Sequence, residues 1–255
     1  MKKLALTAIS LLIAGSASAA DLRAPVRAPA PVPVVAYNWT GCYLGAGGGY
    51  GMFNQETQFI SAGGANLGVS HDNGGRGWFG TVQVGCDYQI GSNIVIGAFA
   101  DYDFAGSIKG DLGLASVNFA GEEKLKSSWA AGGRIGWLPF QQLLAFVSGG
   151  YTQARFSDVD FVFANTGGAT AFSIGKHTYS GWFIGSGYEY GIGWLPGLFW
   201  KTEYRFADYG SERVDVRNAG VLNGQAIDFD KRVQTVRSEL VWRFNFGGSP
   251  VVARY

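Results

Sequence analysis

The chain has 255 residues, a formal net charge of +1, 40 Gly, 8 Trp, 12 Tyr, 18 Phe and 2 Cys. The near-neutral balance removes the electrostatic case for a nucleic-acid partner. Two cysteines are too few for a disulfide-framed miniprotein or a cysteine-based zinc site, although one pair suits an oxidising compartment.

At the N-terminus, Lys2 and Lys3 precede the apolar run from Leu4 to Ala14, and the small residues Ala17, Ser18 and Ala19 follow. This order reads as a secretory signal peptide over residues 1–20, removed at a small-residue cleavage position. The run falls short of the about 20 apolar residues that a spanning helix needs, and no later segment reaches that length without charges or alternation, so no transmembrane helix is expected. Residues 21–36 carry Pro25, Pro29, Pro31 and Pro33 among Ala and Val, which favours an extended, unpaired periplasmic leader.

From Trp39 onward, eight alternating segments read as strands: 40–51, 77–89, 94–104, 124–138, 143–156, 176–190, 198–209 and 232–246. Pro139, Pro196 and Pro250 fall between or after them, as a hydrogen-bonded ladder requires. The connections 90–93, 139–142 and 191–197 are tight, whereas 52–76, 105–123, 157–175 and 210–231 are long. Short periplasmic turns and long external loops alternate in this way, and an even strand count returns both ends to the periplasmic side.

The side-chain period gives the environment. In the last segment Leu240, Trp242, Phe244 and Phe246 share one side, and Arg237, Glu239, Arg243 and Asn245 share the other. The second segment sets Val82, Val84, Cys86 and Tyr88 against Thr81, Gln83, Gly85 and Asp87; the seventh sets Leu198, Trp200, Tyr204 and Phe206 against Lys201, Glu203 and Arg205. Apolar and aromatic residues outside with charges inside is the pattern of a wall with lipid beyond it. Residues 143–147 do not alternate, and the fifth strand is assigned from its neighbours. The expected fold is all-β: an eight-stranded antiparallel transmembrane β-barrel, an up-and-down meander over 37–246 with a C-terminal extension at 247–255, in the outer membrane of a Gram-negative cell.

The inward charges are Asp87, Asp101, Asp103, Glu189, Glu203 and Glu239 against Arg134, Lys201, Arg205, Arg237 and Arg243. The interior of an eight-stranded barrel is only wide enough for side chains, so these groups are expected to pair and fill the lumen. The functional alternative is a narrow polar path for ions or small solutes. If the first hairpin sets Tyr50 opposite Trp78, Cys42 falls opposite Cys86, both on the lipid-facing side near the periplasmic rim, and a disulfide follows; no His or carboxylate cluster near either residue supports a reactive or metal-binding role.

The only histidines are His71, in the first long connection, and His177, near the outer end of the sixth strand. They form no recognisable catalytic dyad, and no enzyme is expected. With a loop tyrosine such as Tyr209 they are the candidate axial ligands for haem, the alternative binding reading. Gly75, Gly77 and Gly80 fit a dinucleotide-binding spacing, but a strand follows where a helix is needed. The sequon at Asn38, Trp39 and Thr40 is a chance match in a chain of bacterial export type.

The segment from Tyr37 to Gly51, with Trp39-Thr40-Gly41-Cys42-Tyr43-Leu44-Gly45 at its centre, resembles the opening of small alphaproteobacterial outer-membrane barrels. Gly85-Cys86-Asp87-Tyr88-Gln89, Gly181-Trp182, Gly187-Tyr188-Glu189-Tyr190 and Lys201-Thr202-Glu203-Tyr204-Arg205-Phe206 extend the resemblance to Phe246. This is the porin-like, opacity-type family that includes immunogenic surface antigens and some haemin-binding members. It implies the barrel architecture and carries no shared catalytic motif. The chain departs from it after Phe246, since such barrels commonly stop at a terminal aromatic residue. Taken together, the sequence reads as a structural surface protein presenting four external loops and supporting the envelope, with haemin or small-ligand binding and then a narrow channel as alternatives. No cofactor is expected; the expected surroundings are outer-membrane lipid and, during assembly, the barrel-insertion machinery, with the protein a monomer.

Overall fold

A computed structural model of the chain describes residues 37–66, 70–114, 119–163, 168 and 170–244. The expected signal peptide (1–20) and leader (21–36), Asn245, Phe246 and the expected extension 247–255 lie outside the described residues. The strands are β1 (Gly41–Ile60), β2 (His71–Ile90), β3 (Ile94–Leu114), β4 (Phe119–Phe140), β5 (Leu143–Phe156), β6 (Val159–Phe163), β7 (Phe172–Ile174), β8 (His177–Gly191), β9 (Leu198–Asn218) and β10 (Val221–Phe244).

Eight of them close a ring in the order β10, β1, β2, β3, β4, β5, β8, β9, with β9 paired back to β10. Every pairing in it is antiparallel and the ring has no free edge, so away from the register shifts the backbone groups of the wall pair within the sheet, as a lipid surround demands. No helix among the described residues is long and apolar enough to cross a membrane; the crossing is made by strands. In the first hairpin Tyr50 stands opposite Trp78 and Cys42 opposite Cys86.

The strands run further outward than the alternation indicates. Much of the expected long connections 52–76, 105–123 and 210–231 is strand, and β9 and β10 are joined through Ala219 and Gly220 alone. Both turn residues have positive φ (49° and 82°), the backbone of a type I′ hairpin. Where β5 ends and β8 begins, β6 and β7 take their places: β6 pairs with β4, β7 with β9, and the two with each other. The wall therefore continues beyond the membrane.

Between the two levels the register slips. β3 holds extra residues relative to β4 between Phe104 and Ile108, β4 holds one at Lys126 relative to β5, and β9 holds one near Gly210 relative to β10. Gly210 has φ 62°, a backbone that glycine adopts without a steric cost. Each bulge reverses the inward phase. On β3 the inward set passes from Asp101, Asp103 and Ala105 to Ile108 and Leu112, and on β9 from Lys201, Glu203 and Arg205 to Val214 and Val216.

Candidate functional site in the barrel interior

Outside, the membrane-level wall carries a periplasmic-side belt including Tyr88, Trp137, Tyr188, Trp200 and Trp242, and an outer-side belt including Trp78, Tyr102, Trp129, Tyr151 and Trp182. Aromatic rings settle at the two interfaces in this way. Inside, between those belts, all six carboxylates and all five basic groups named from the sequence are buried.

They form two connected groups. Near the periplasmic mouth, Arg134 binds both oxygens of Asp87 and reaches Glu189 at 3.1 Å, while Arg243 reaches Asp87 at 2.7 Å and Glu189 at 2.7 Å. Two guanidinium forks thus close a ring with two carboxylates. Higher in the lumen, Arg205 grips Asp101 in a bidentate contact (3.0 and 2.8 Å) and leans on Glu203 at 3.3 Å. Arg237 lies 3.4 Å from Asp101 and 3.0 Å from Asp103. Lys201 lies 3.0 Å from Glu203, 3.5 Å from Glu239 and 2.9 Å from the Gln83 amide oxygen. Ser148 and Ser128 donate to Glu203 and Asp103 at 2.7 and 3.0 Å.

The small residues of the strands make room for these groups. A Cβ on inward Gly97 would collide with the Asp87 carboxylate, and one on Gly185 with Ser148 and Glu203. Phenylalanines fill the gaps between charges: the Arg205 guanidinium lies 4.3 Å from the Phe183 ring centre, and Lys201 lies 5.7 Å from both Phe99 and Phe146. Phe146 belongs to the stretch that does not alternate. Leu144 and Phe146 point inward while Ala145 and Val147 point out, so the strand alternates in direction without alternating in polarity.

Trp39 closes the periplasmic mouth, and sequence reasoning assigned it no role in the lumen. Its ring is fully buried, 4.8 Å from Phe199 and 4.7 Å from the Arg243 guanidinium, and its indole N–H donates to the Gln141 carbonyl at 3.0 Å. Tyr43, Gly45, Gly47 and Gly49 share the inner phase of β1, so the inward Tyr43 was the available signal for aromatic filling at this end.

Beyond the outer belt the interior changes character. Phe53, Leu125, Phe156, Phe161, Ile227 and Phe229 are buried together with other apolar side chains, as in a soluble β-barrel. One charge pair sits among them: Lys231 donates to Glu123 at 2.6 Å and to Gln55, with Phe156, Tyr179 and Phe229 rings 4.0, 4.7 and 4.8 Å from its nitrogen. Five residues above Val236, which pairs with belt residue Tyr50, Lys231 lies outside the membrane-spanning part of β10. Burial pushes its ammonium down to about 8, against the opposing pull of Glu123.

The candidate haem ligands are not brought together. His71 opens β2 and His177 opens β8, four strand positions apart around the ring, and the His177 Nε2 lies 2.9 Å from Glu212. Tyr209 corrects the expectation of a loop residue: it is buried inside the barrel on β9, its hydroxyl 3.3 Å from Thr152. Cys42 and Cys86 are joined by a disulfide on the outer side of the first hairpin.

Fold, belts and polar lumen define an outer-membrane β-barrel protein. No model of a known protein family matches the chain. The 31 kDa outer-membrane immunogenic proteins of Brucella melitensis and Brucella suis are each 30% identical to it over 238 residues, 86% of this chain and 92% of theirs. The chain belongs to that family of alphaproteobacterial small outer-membrane barrels. The crystal structure of the outer-membrane protein OprG from Pseudomonas aeruginosa shares the fold, with TM-score 0.55 and 10% identity over 83% of this chain and 100% of that one.

Proposed function

We propose that this protein is a structural surface barrel, closed to solutes, that holds a rigid β-wall outside the cell and contributes to envelope integrity. One observation carries the reading: every charged side chain named for the membrane-level lumen is buried against an opposite charge. A conducting path needs hydrated, mobile charges, whereas paired and buried ones act as filling. The Trp39 closure below and the apolar packing above support the same reading. The Brucella relatives are named immunogenic, which fits a wall displayed outside. On this reading the barrel is a monomer in lipid, placed there by the insertion machinery for such barrels.

Planar-bilayer recording on refolded wild-type protein tests the proposal. It predicts a baseline without steady current. A stable ohmic conductance whose ion selectivity changes in Arg237→Ala would overturn it in favour of a channel.

A further inference from the structure

The bulges that separate the two levels also shape the outer surface. Between Phe104 and Ile108 on β3, at Lys126 on β4, at the end of β5 and at the start of β8, the wall opens a cleft of about 460 Å³ lined by Tyr102, Phe104, Lys126, Arg155 and Lys176. The row below it is aromatic and fixed: Trp129 stands opposite Tyr102 and Gln153, donates its indole N–H to Gln153 at 3.1 Å, and packs 5.5 Å from Tyr151. The cleft thus sits directly above the outer aromatic belt, at the height of lipid headgroups.

Its three cations are exposed and unclaimed. Nearby Lys109 and Lys124 share Glu122 at 3.2 and 2.7 Å, but among the described residues Lys126, Arg155 and Lys176 form no ion pair. The opposite wall has the reverse charge: the recess over β1, β2 and β10 is lined by Glu56, Asp72 and Asp230 with Arg232. Three converging cations over an aromatic shelf match a phosphate whose acyl chains run down the wall, with Lys and Arg reaching up to the headgroup.

We propose that this cleft binds the phosphorylated headgroup of an outer-leaflet glycolipid. Lys126, Arg155 and Lys176 take the phosphate, and Tyr102, Phe104 and Trp129 receive the upper part of the lipid. The site fixes which side of the barrel carries a bound lipid in the membrane.

The test is native mass spectrometry of the refolded full chain in detergent, titrated with bisphosphorylated lipid A. A single tight adduct is expected, weakened on the order of 100-fold in the Lys126→Gln, Arg155→Gln, Lys176→Gln triple variant, from roughly a fivefold step per surface cation. A control triple variant of equal charge change, Arg213→Gln, Arg217→Gln, Arg232→Gln, on the other wall, keeps the wild-type affinity. Dephosphorylated lipid A binds wild type as weakly as it binds the cleft variant. Equal binding by the two triple variants, no discrimination between phosphorylated and dephosphorylated lipid, or competition by millimolar inorganic phosphate as complete as by the lipid would each overturn the proposal.

Discussion

One β-wall encloses two differently filled interiors. At membrane level the lumen holds a network in which most charges serve two or three partners: Asp101 meets both Arg205 and Arg237, and Glu189 meets both Arg134 and Arg243. Outside the membrane, where the wall faces water, the filling among the described residues is apolar apart from the Lys231 to Glu123 pair, which aromatic rings enclose, and a few polar groups such as Gln55 and Thr57. The inversion follows from what lies beyond the wall. With lipid outside, apolar residues are taken by the outer face; with water outside, the ordinary gain from burying apolar surface fills the inside. The bulges at β3, β4 and β9 mark the exchange, since each reverses the inward phase, on β3 and β9 from a charged set to an apolar one.

The comparison predicts losses of similar size from different physical causes when one group is removed. Arg237→Ala leaves Asp101 and Asp103 short of a cation in the dry lumen and costs about 3 to 5 kcal/mol. Phe229→Ala opens a cavity in the apolar half at a comparable cost of about 3 to 5 kcal/mol. Urea unfolding followed by the gel-mobility change of boiled against unboiled protein checks both. An Arg237→Ala variant as stable as wild type would mean that water already screens the network.

The disulfide comes next. Peptides from unreduced protein are expected to show Cys42 linked to Cys86, and the Cys42→Ser, Cys86→Ser variant loses about 2 to 4 kcal/mol. Free thiols in protein recovered from the envelope would contradict the pairing.

The smallest effect, read over one pH unit, belongs to Lys231. Its folded value of about 8 lies below its ordinary 10.5, so between these values the unfolded chain binds more protons than the folded one. Stability therefore rises with pH across that window, by at most about 1.4 kcal/mol per pH unit, and the gain is lost as pH falls through about 8. Lys231→Met with Glu123→Leu removes this slope and leaves stability at neutral pH unchanged or slightly higher, as apolar replacement of a whole buried pair does. Thermal melts from pH 7.5 to 10 decide; an unaltered slope in the double variant assigns it to another group.

The membrane-level barrel was legible because lipid enforces a strict period of two. Asp87, Arg134, Glu203, Arg205 and Arg237 all stand on the expected inner side, and the first hairpin has the register that sets Cys42 against Cys86. Legibility ended at the bulges. The third and seventh strands were expected to stop at 104 and 209, next to the register slips between Phe104 and Ile108 and near Gly210; a phase reversal reads as the end of alternation although the ladder continues. The β9 to β10 turn was hidden for a different reason, since Ala219 occupies a left-handed position usually signalled by Gly or Asn. The Lys231 cage was invisible because its partners Gln55 and Glu123 lie 176 and 108 residues away in sequence, in segments read as loop or loop edge.

The most direct test of two interiors behind one wall is hydrogen exchange by mass spectrometry on wild type and Phe229→Ala in the same detergent. The account predicts that Phe229→Ala speeds exchange in 108–114, 119–125 and 222–231 while 79–90, 94–104 and 198–207 keep wild-type protection, since the charge network holds the membrane half on its own. Equal acceleration of both sets would show one cooperative interior and contradict it.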